Sequence, residues 1–430
     1  MATVSERLTV VVGELQDSPE NGNVLSTLIE VCTDYLQSDS PRKHQAVKAL
    51  ADASKTEVGR KKIVDSNVID EVANLEKEFT DEDNDNFAVE VCRLGGNVCF
   101  DNPAGREKIL KSGVFNGLES SIQVFSTVFP DSMFWRVLPS FLHNYCHENQ
   151  DSLKDVSKLS CQLSLIFSEL ETLNEEKLDQ VENYISFLSG VTKHENMVDF
   201  FSQQRIVTGL LKMLSNHDPE SILVGLIELF QELFEDESLS KVYCEHGLVA
   251  ALIKRSDGAC KDEDNQDISS EDVSSQCLDL LSLVSSHSSV SPLILTMSPP
   301  SELFTAVSSW LRSPPTDHHL ATAALLCGNI ATSDQACVQL MSTGLPGSLV
   351  THVTSSSSAQ VLHAVVGCLR NMSVYQEIRP ELSQLGLCER AADLLIQLGE
   401  GKDHTVTPKL MSTLRLVTQV RSLGNNLVKN

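Results

Sequence analysis

Three groups of residues in this sequence have types and spacings that could carry chemistry. His143-x-x-Cys146-His147 puts three possible zinc ligands on one helical turn. A structural zinc takes a fourth ligand from a second paired motif, and none stands near, so the group reads as a helix end with polar caps. Asp81-x-Asp83-x-Asp85 opens like a calcium loop, but Asn86 stands sixth and Cys92 twelfth. That loop needs Gly and Glu at those places, so the stretch reads as a solvated acidic loop. The third group is Glu228, Glu232, Glu235, Asp236 and Glu237, on and just beyond a predicted helix from Ser221 to Phe234. Glu228 and Glu232 are four residues apart and share a helix face, and Glu235 continues it. Like charges at that spacing cost an isolated helix a few tenths of a kcal/mol each. Such a row is either a solvated face or a negative groove that attracts a basic partner.

No catalytic constellation accompanies these groups. H-E-x-x-H, the phosphate-binding P-loop and the G-x-S-x-G elbow are all absent. The expectation is no catalytic residue, no metal and no cofactor. Asn371-Met372-Ser373 is a formal glycosylation sequon, but it falls in a predicted inner helix. His318-His319 reads as a helix start.

Composition narrows the class. The 430 residues carry a formal charge of −26, with 41% hydrophobic residues. That apolar content supports a large core. Gly (21) and Pro (14) are sparse, which disfavours a loop-rich β architecture. The acidity argues against nucleic acid, whose phosphates need a basic footprint, and favours partners with basic surfaces. No stretch reaches ~18 uncharged apolar residues, so no integral membrane association is expected. The N-terminus has no signal peptide or lipidation pattern. The 12 cysteines form no C-x-x-C pair and mostly sit in apolar runs, as reduced core residues of a cytosolic protein.

The elements that must position the acidic and amide side chains emerge from internal repeats. Phe87 to Phe115, Ala323 to Leu345 and Ala364 to Leu387 share one grammar. An apolar helix ends in Asn97, Asn329 or Asn371; a polar turn and a short helix follow; then comes Gly with an aliphatic residue, and a longer amphipathic helix. Weaker copies lie at 46–69, at 141–152 with Asn144, at 183–210 with Gly190 in the Asn place, and at 223–252. Asn97 and Asn144 are 47 residues apart, and Asn329 and Asn371 are 42 apart. A period in the forties with three helices per unit is the armadillo/HEAT signature. The expected fold is therefore all-α, one continuous right-handed superhelical solenoid over 1–430, with irregular helices over 1–44. Acidic loops are expected at 76–86 and 257–272, a Ser/Pro-rich interruption at Ser286–Ser301, and a serine loop at Ser355–Ser358. The third helix of each repeat would line the concave side, with the Gly before it allowing a sharp turn. The inner Asn residues either cap helices and bond neighbouring backbone, or face a ligand.

These residues together resemble a family. Gly96-Asn97-Val98-Cys99-Phe100-Asp101 with Gly105-Arg106, Asn144-Tyr145 to Leu153, His363-Ala364 to Met372, and Lys409 to Leu416 are similar, in one order, to segments of the Smg GDP dissociation stimulators. The resemblance implies an armadillo protein that binds small GTPases of the Rho, Rap or Ras type through polybasic, prenylated C-termini. It would promote GDP release from some and chaperone others, in the cytosol and also at the endoplasmic reticulum surface, mitochondrion or nucleus. The acidic row, the inner Asn positions and the resemblance together give the expected partner-binding residues Asn144, Glu228, Glu232, Glu235, Asp236, Asn329 and Asn371. The family's A-N-F-A-R-N-D segment keeps its first Asn as Asn329 and has Ser333 for its second; Glu235-Asp236 falls on an A-E-N-D segment. The family runs well past the point matching Leu416, whereas this chain ends at Asn430, so binding is expected more than exchange. Two other readings compete. One is an importin-like peptide adaptor, disfavoured because neither Trp135 nor Trp310 has Asn four residues on. The other is an armadillo scaffold without exchange activity.

Overall fold

A computed structural model describes residues 3–38, 40, 42–76, 84–115, 117–118, 122, 132–158, 178–192, 197–215, 220–259, 268–296, 300–355 and 358–400. Among the described residues there are 24 helices and no strand, the all-α repeat architecture expected. None of those helices is long and apolar enough to cross a membrane. The residues matching Lys409–Leu416, most of the acidic loops, and Asp81 and Asp83 of the calcium-like stretch lie outside the described residues. The chain forms two compact units, Met1–Gly209 and Leu210–Asn430.

Each unit is organised by a ladder of long helices packed side by side. In the first unit the rungs are His44–Ala53, Asn84–Cys99, Phe134–Cys146 and Leu178–Val191. In the second they are Glu220–Leu233, Ile268–Ser286, Asp317–Ile330 and Ala359–Ser373. Each rung is apolar over most of its circumference. In the last one Val361, Leu362, Ala364, Val365, Val366, Cys368, Leu369 and Met372 are all buried, and one stripe faces outward. A single turn cannot bury that width alone, so the rungs stack. Fully burying one Leu or Phe contributes about 1.5–3 kcal/mol.

The turn after five of the eight rungs is written in capping residues. Thr56, Asn102, Asn149, Asp236 and Ser333 each accept a backbone N–H from the first turn of the following short helix. These caps satisfy donors that have no partner inside the helix. At the other side of the turn, arginines of three short helices reach back. Arg60 donates to the Ser54 and Lys55 carbonyls, Arg106 to Cys99, and Arg379 to Ser373 and Val374. A cation there meets both the free carbonyls and the negative end of the rung's dipole. The Gly preceding Arg60 and Arg106 has a steric reason. A Cβ on Gly59 would lie 1.9 Å from the Ala53 carbonyl oxygen, and one on Gly105 2.0 Å from that of Val98.

Two expectations need correction. Three of the four glycines with positive φ among the described residues, Gly247 (+105°), Gly344 (+75°) and Gly386 (+82°), do not open the Asn-bearing helix; the fourth is Gly113 (+76°). Those three open the helix that follows the short one, Leu248–Ala259, Leu345–Ser355 and Leu387–Glu400, and not the helix that carries the Asn. The Ser/Pro-rich stretch Ser286–Ser301 is also not merely an interruption. Ser291–Thr296 is a helix in the short-helix place of its repeat, anchored by Ser291 Oγ donating to the Ser285 carbonyl at 2.8 Å.

Gly105→Ala tests the turn. Helix propensity alone favours Ala by about 1 kcal/mol, but overpacking against fixed backbone costs about 1–3 kcal/mol. The clash is with a carbonyl rather than a flexible side chain, so the net outcome expected is a loss of stability, read as a lower urea midpoint. An unchanged or higher midpoint would show that the turn relaxes freely.

Candidate partner-binding face

The ladder asparagines are used first in the fold. Asn97 Nδ2 donates to the Ala51 carbonyl at 2.9 Å, Asn144 to Gly96 at 3.1 Å, and Asn371 to Gly328 at 3.3 Å. Asn329 donates to Ser285 Oγ at 2.9 Å and to the Ser282 carbonyl at 3.4 Å. Each therefore bonds the previous rung, and the acceptor carbonyls at Gly96 and Gly328 belong to the residue just before the previous ladder Asn. Glycine stands there because the rungs meet closely. A Cβ on Gly328 would be 3.1 Å from the Cys368 Cα, and one on Gly96 3.4 Å from the Phe141 Cα. Of the two readings of these residues, bonding to neighbouring backbone is the one the geometry displays. All four are only half-buried, and their outer edges remain on the exposed stripe.

Glu232 occupies the same ladder place in the first rung of the second unit. It precedes its cap, Asp236, by four residues, as Asn329 precedes Ser333. Four residues earlier on each rung is a second row. It reads Glu228 on the first rung, Leu325 on the third and Gly367 on the fourth; on the second rung Ser282 and Leu283 stand near this level, and Asp279 lies one helical turn before them. Glu228 and Asp279 are exposed, and Glu232 is half-buried. Leu283 and Leu325 are exposed aliphatics at 36% and 37%, and a Cβ on Gly367 would meet nothing within 4 Å. The face of the second unit thus changes across its rungs from acidic to aliphatic to open. The exposed stripe of the first unit is mixed in sign. There Arg93 sits between Asp52, at 3.0 Å, and Glu90, at 2.5 Å, so its charge is answered internally.

Asp236 has a different position from its neighbours. Its carboxylate accepts from the Ser238 N–H at 2.8 Å, the Leu239 N–H at 3.3 Å and the Ser238 hydroxyl, as the N-cap of Glu237–Glu245. The Ser238 hydroxyl, ahead of those N–H bonds, holds its pKa below the ordinary value of 3.8. Glu237 accepts from the Ser289 N–H at 2.6 Å and Ser288 Oγ at 2.8 Å, tying one turn to the next. Ser333 is likewise an N-cap, accepting from the Ala336 N–H at 3.2 Å. Glu235 is exposed beside Asp236. Of the implied binding residues, Glu228, Glu232, Glu235, Asp236, Asn329 and Asn371 lie in the second unit, and Asn144 lies in the first.

Sequence reasoning missed Asp279, Leu325, Gly367 and Arg370. The signal was available: each falls on the stripe defined by the ladder Asn. It also missed a tie between rungs. His318 Nδ1 is 2.7 Å from Ser275 Oγ, and its Nε2 is 2.9 Å from Asp279 Oδ1. These residue types match a hydrolase triad, but the orienting carboxylate of a triad is buried, and the Asp279 side chain is 64% exposed.

The remaining candidates are structural. Burial first, then the adjoining His147, lowers the pKa of His143. Its ring is 6.2 Å from that of His147, while Cys146 is buried. Among the described residues no cluster of three or more metal-ligating side chains occurs. Burial pushes the thiols of Cys32, Cys244, Cys277 and Cys327 up to about 12, so they keep their protons at neutral pH. Trp135 and Trp310 are buried, and Trp310 Nε1 donates to Asp257 Oδ1 at 2.8 Å. In the sequon, Ser373 is buried and the Asn371 amide is bonded to Gly328.

No family model matches the chain. Among curated proteins, it is 22% identical over 404 residues to Rap1 GTPase-GDP dissociation stimulator 1-A of Xenopus laevis, covering 92% of this chain and 64% of that protein. It is 22% identical over 413 residues to stimulator 1-B of the same species, covering 93% and 65%. To the GTPase-GDP dissociation stimulator vimar of Drosophila melanogaster it is 24% identical over 406 residues, covering 91% and 61%. The chain thus spans a little under two thirds of the length of these relatives. A crystal structure of an engineered protein matches 98% of this chain and 96% of its own at a TM-score of 0.57 and 16% identity, a likeness of fold alone. The resemblance read from the repeat motifs therefore extends along nine-tenths of the chain: it is similar to the GDP dissociation stimulators of small GTPases.

Proposed function

We propose that the chain binds small GTPases of the Rho, Rap or Ras type through their basic C-terminal tails and stimulates release of GDP. The observation that carries the reading is the acidic row of the second unit, Glu228 and Glu232 on one rung and Asp279 on the next, in a chain similar to proteins named as GDP dissociation stimulators. Opposite charge steers encounter and weakens with salt, because the screening length is about 8 Å at physiological ionic strength and ~3 Å at 1 M. The tail's lipid, where present, would find its apolar contact at Leu283, Leu325 and the open place at Gly367.

Stimulated release needs no covalent step. A protein that binds the nucleotide-free GTPase better than its GDP form must, by linkage, lower the affinity for GDP. The ladder helices supply a rigid surface for that differential binding. The same face would chaperone a GTPase if it bound both forms equally, since equal affinity shifts no equilibrium.

Release of fluorescent mant-GDP from a Rho-type GTPase, with and without its basic tail, tests the reading. Acceleration that needs the tail and falls with salt is expected. Binding without acceleration would leave only a chaperone, and indifference to both tail and salt would sink the electrostatic account. Charge reversal at exposed Glu228 and half-buried Glu232 together should weaken binding by about 1–2 kcal/mol, at ~0.5–1 kcal/mol per charge.

Asp236→Ala separates capping from binding. Loss of an N-cap costs about 1 kcal/mol of stability at neutral pH. The folded pKa lies below 3.8, so the carboxylate's contribution is full above that value and fades as pH falls through the lower folded value. The gap between wild-type and variant urea midpoints should therefore narrow only below about pH 4. A variant that keeps its midpoint but loses GTPase binding would reverse this assignment.

A further inference from the structure

The exposed face of the second unit carries charge of both signs, and the two signs stand on different rungs. Glu228 and Glu232 lie on the first rung, and Asp272 and Asp279 on the second. The fourth rung, Ala359–Ser373, shows His363, Gly367, Arg370 and Asn371 along its outward stripe. Arg370 Nη2 donates to Asn371 Oδ1 at 3.0 Å, which holds the guanidinium beside the ladder. Among the described residues no carboxylate lies within ion-pair distance of Arg370. This contrasts with Arg93 of the first unit, which has two. Between the acidic rungs and Arg370 lie exposed Leu325 and open Gly367.

An extended segment with a basic run at one end matches this order of charges in one direction only. Its cations lie over Glu228 and Asp279, an apolar group over Leu325 and Gly367, and an anion on Arg370. A guanidinium presents a planar fork that fits a carboxylate with two parallel N–H bonds. In a basic C-terminal tail that ends as a free acid, the chain's own terminal carboxylate is an anion that follows the basic run. We propose that Arg370 binds the free α-carboxylate of a basic partner tail, and so fixes the direction and register of that tail on the acidic face. The inference rests on the tail reading given under Proposed function.

The spacing sets the length of the tail. Packed helices stand about 8–10 Å apart, and an extended chain covers about 3.3 Å per residue. Two rungs separate Asp279 from Arg370, which corresponds to about five or six residues. Three rung spacings separate Glu228 from Arg370, or about seven to nine residues. The partner tail should carry its Lys or Arg run within that interval of its last residue, with an apolar residue between.

The experiment uses the full chain and fluorescein-labelled synthetic peptides that have a Lys run five to nine residues before the C-terminus. One peptide ends in a free acid, one in an amide, and one has the sequence reversed. The free acid is expected to bind about threefold to fivefold tighter than the amide, the range for one exposed charge-assisted contact. The reversed peptide should bind no better than the amide. Arg370→Gln should remove the difference between acid and amide while leaving the amide's affinity unchanged. Equal binding of acid and amide to the wild-type chain would overturn the assignment of Arg370 even if both bind in a salt-sensitive way, an outcome that leaves the tail reading standing. If no peptide binds at low salt, the tail reading fails and this inference with it. Should Arg370→Gln fail to fold, the wild-type contrast between acid and amide still decides.

Discussion

The structure depends on how closely one rung of the ladder can approach the next. An amide side chain can reach a neighbouring helix's carbonyl only if the backbones come near, and that requires no side chain at the point of contact. Gly96 and Gly328 provide the gap, and Asn144 and Asn371 bond across it. A carbonyl already bonded inside its helix accepts a second donor there, so the bond adds to the packing without breaking the helix. It also fixes register: a rung that slid by one residue would offer its Asn the wrong carbonyl. Which residues stand level across the second, third and fourth rungs of the second unit follows from that register.

Register turns a scattered acidity into a surface with a pattern. The net charge of −26 describes no site by itself. Once Glu232 is aligned with Asn329 and Asn371, Glu228 aligns with Leu325 and Gly367, and the charges fall at one end of a row. Similar reasoning removes candidates. Asp236 looked like part of the same acidic run but bonds the next helix's N–H groups. A carboxylate doing that keeps its charge yet has its acceptor directions largely taken, so it offers a partner less than Glu228 or Glu235 does. The first unit shows the contrast, since its ladder arginine is neutralised within the unit.

The turn chemistry explains why motifs that resemble the GDP dissociation stimulators are found where they are. Gly105-Arg106 is a glycine that must avoid the Val98 carbonyl and an arginine that caps the rung's last carbonyls. Ser333 in the place of an asparagine keeps an N-cap, for which either residue serves. In this chain these segments serve the folding of the turns, and their presence alone does not mark a binding surface.

The sequence by itself determined the all-α repeat, its period, the rung bearing each Asn and the helix carrying Glu228 and Glu232, because apolar periodicity and turn residues are local signals. It misplaced the Gly turns by one helix, since a Gly between two helices does not say which of them lines a face. It could not separate Asp236 from its neighbours, because a capping carboxylate and a free one have the same composition. Only the tertiary structure decided that the ladder Asn residues bond the preceding rung, that Asp279, Leu325, Gly367 and Arg370 join the face, and that Arg370 has no carboxylate within ion-pair distance among the described residues. Those residues are 88 positions apart between Asp279 and Gly367. Their juxtaposition arises from helix-to-helix packing across whole repeats, which no local pattern encodes.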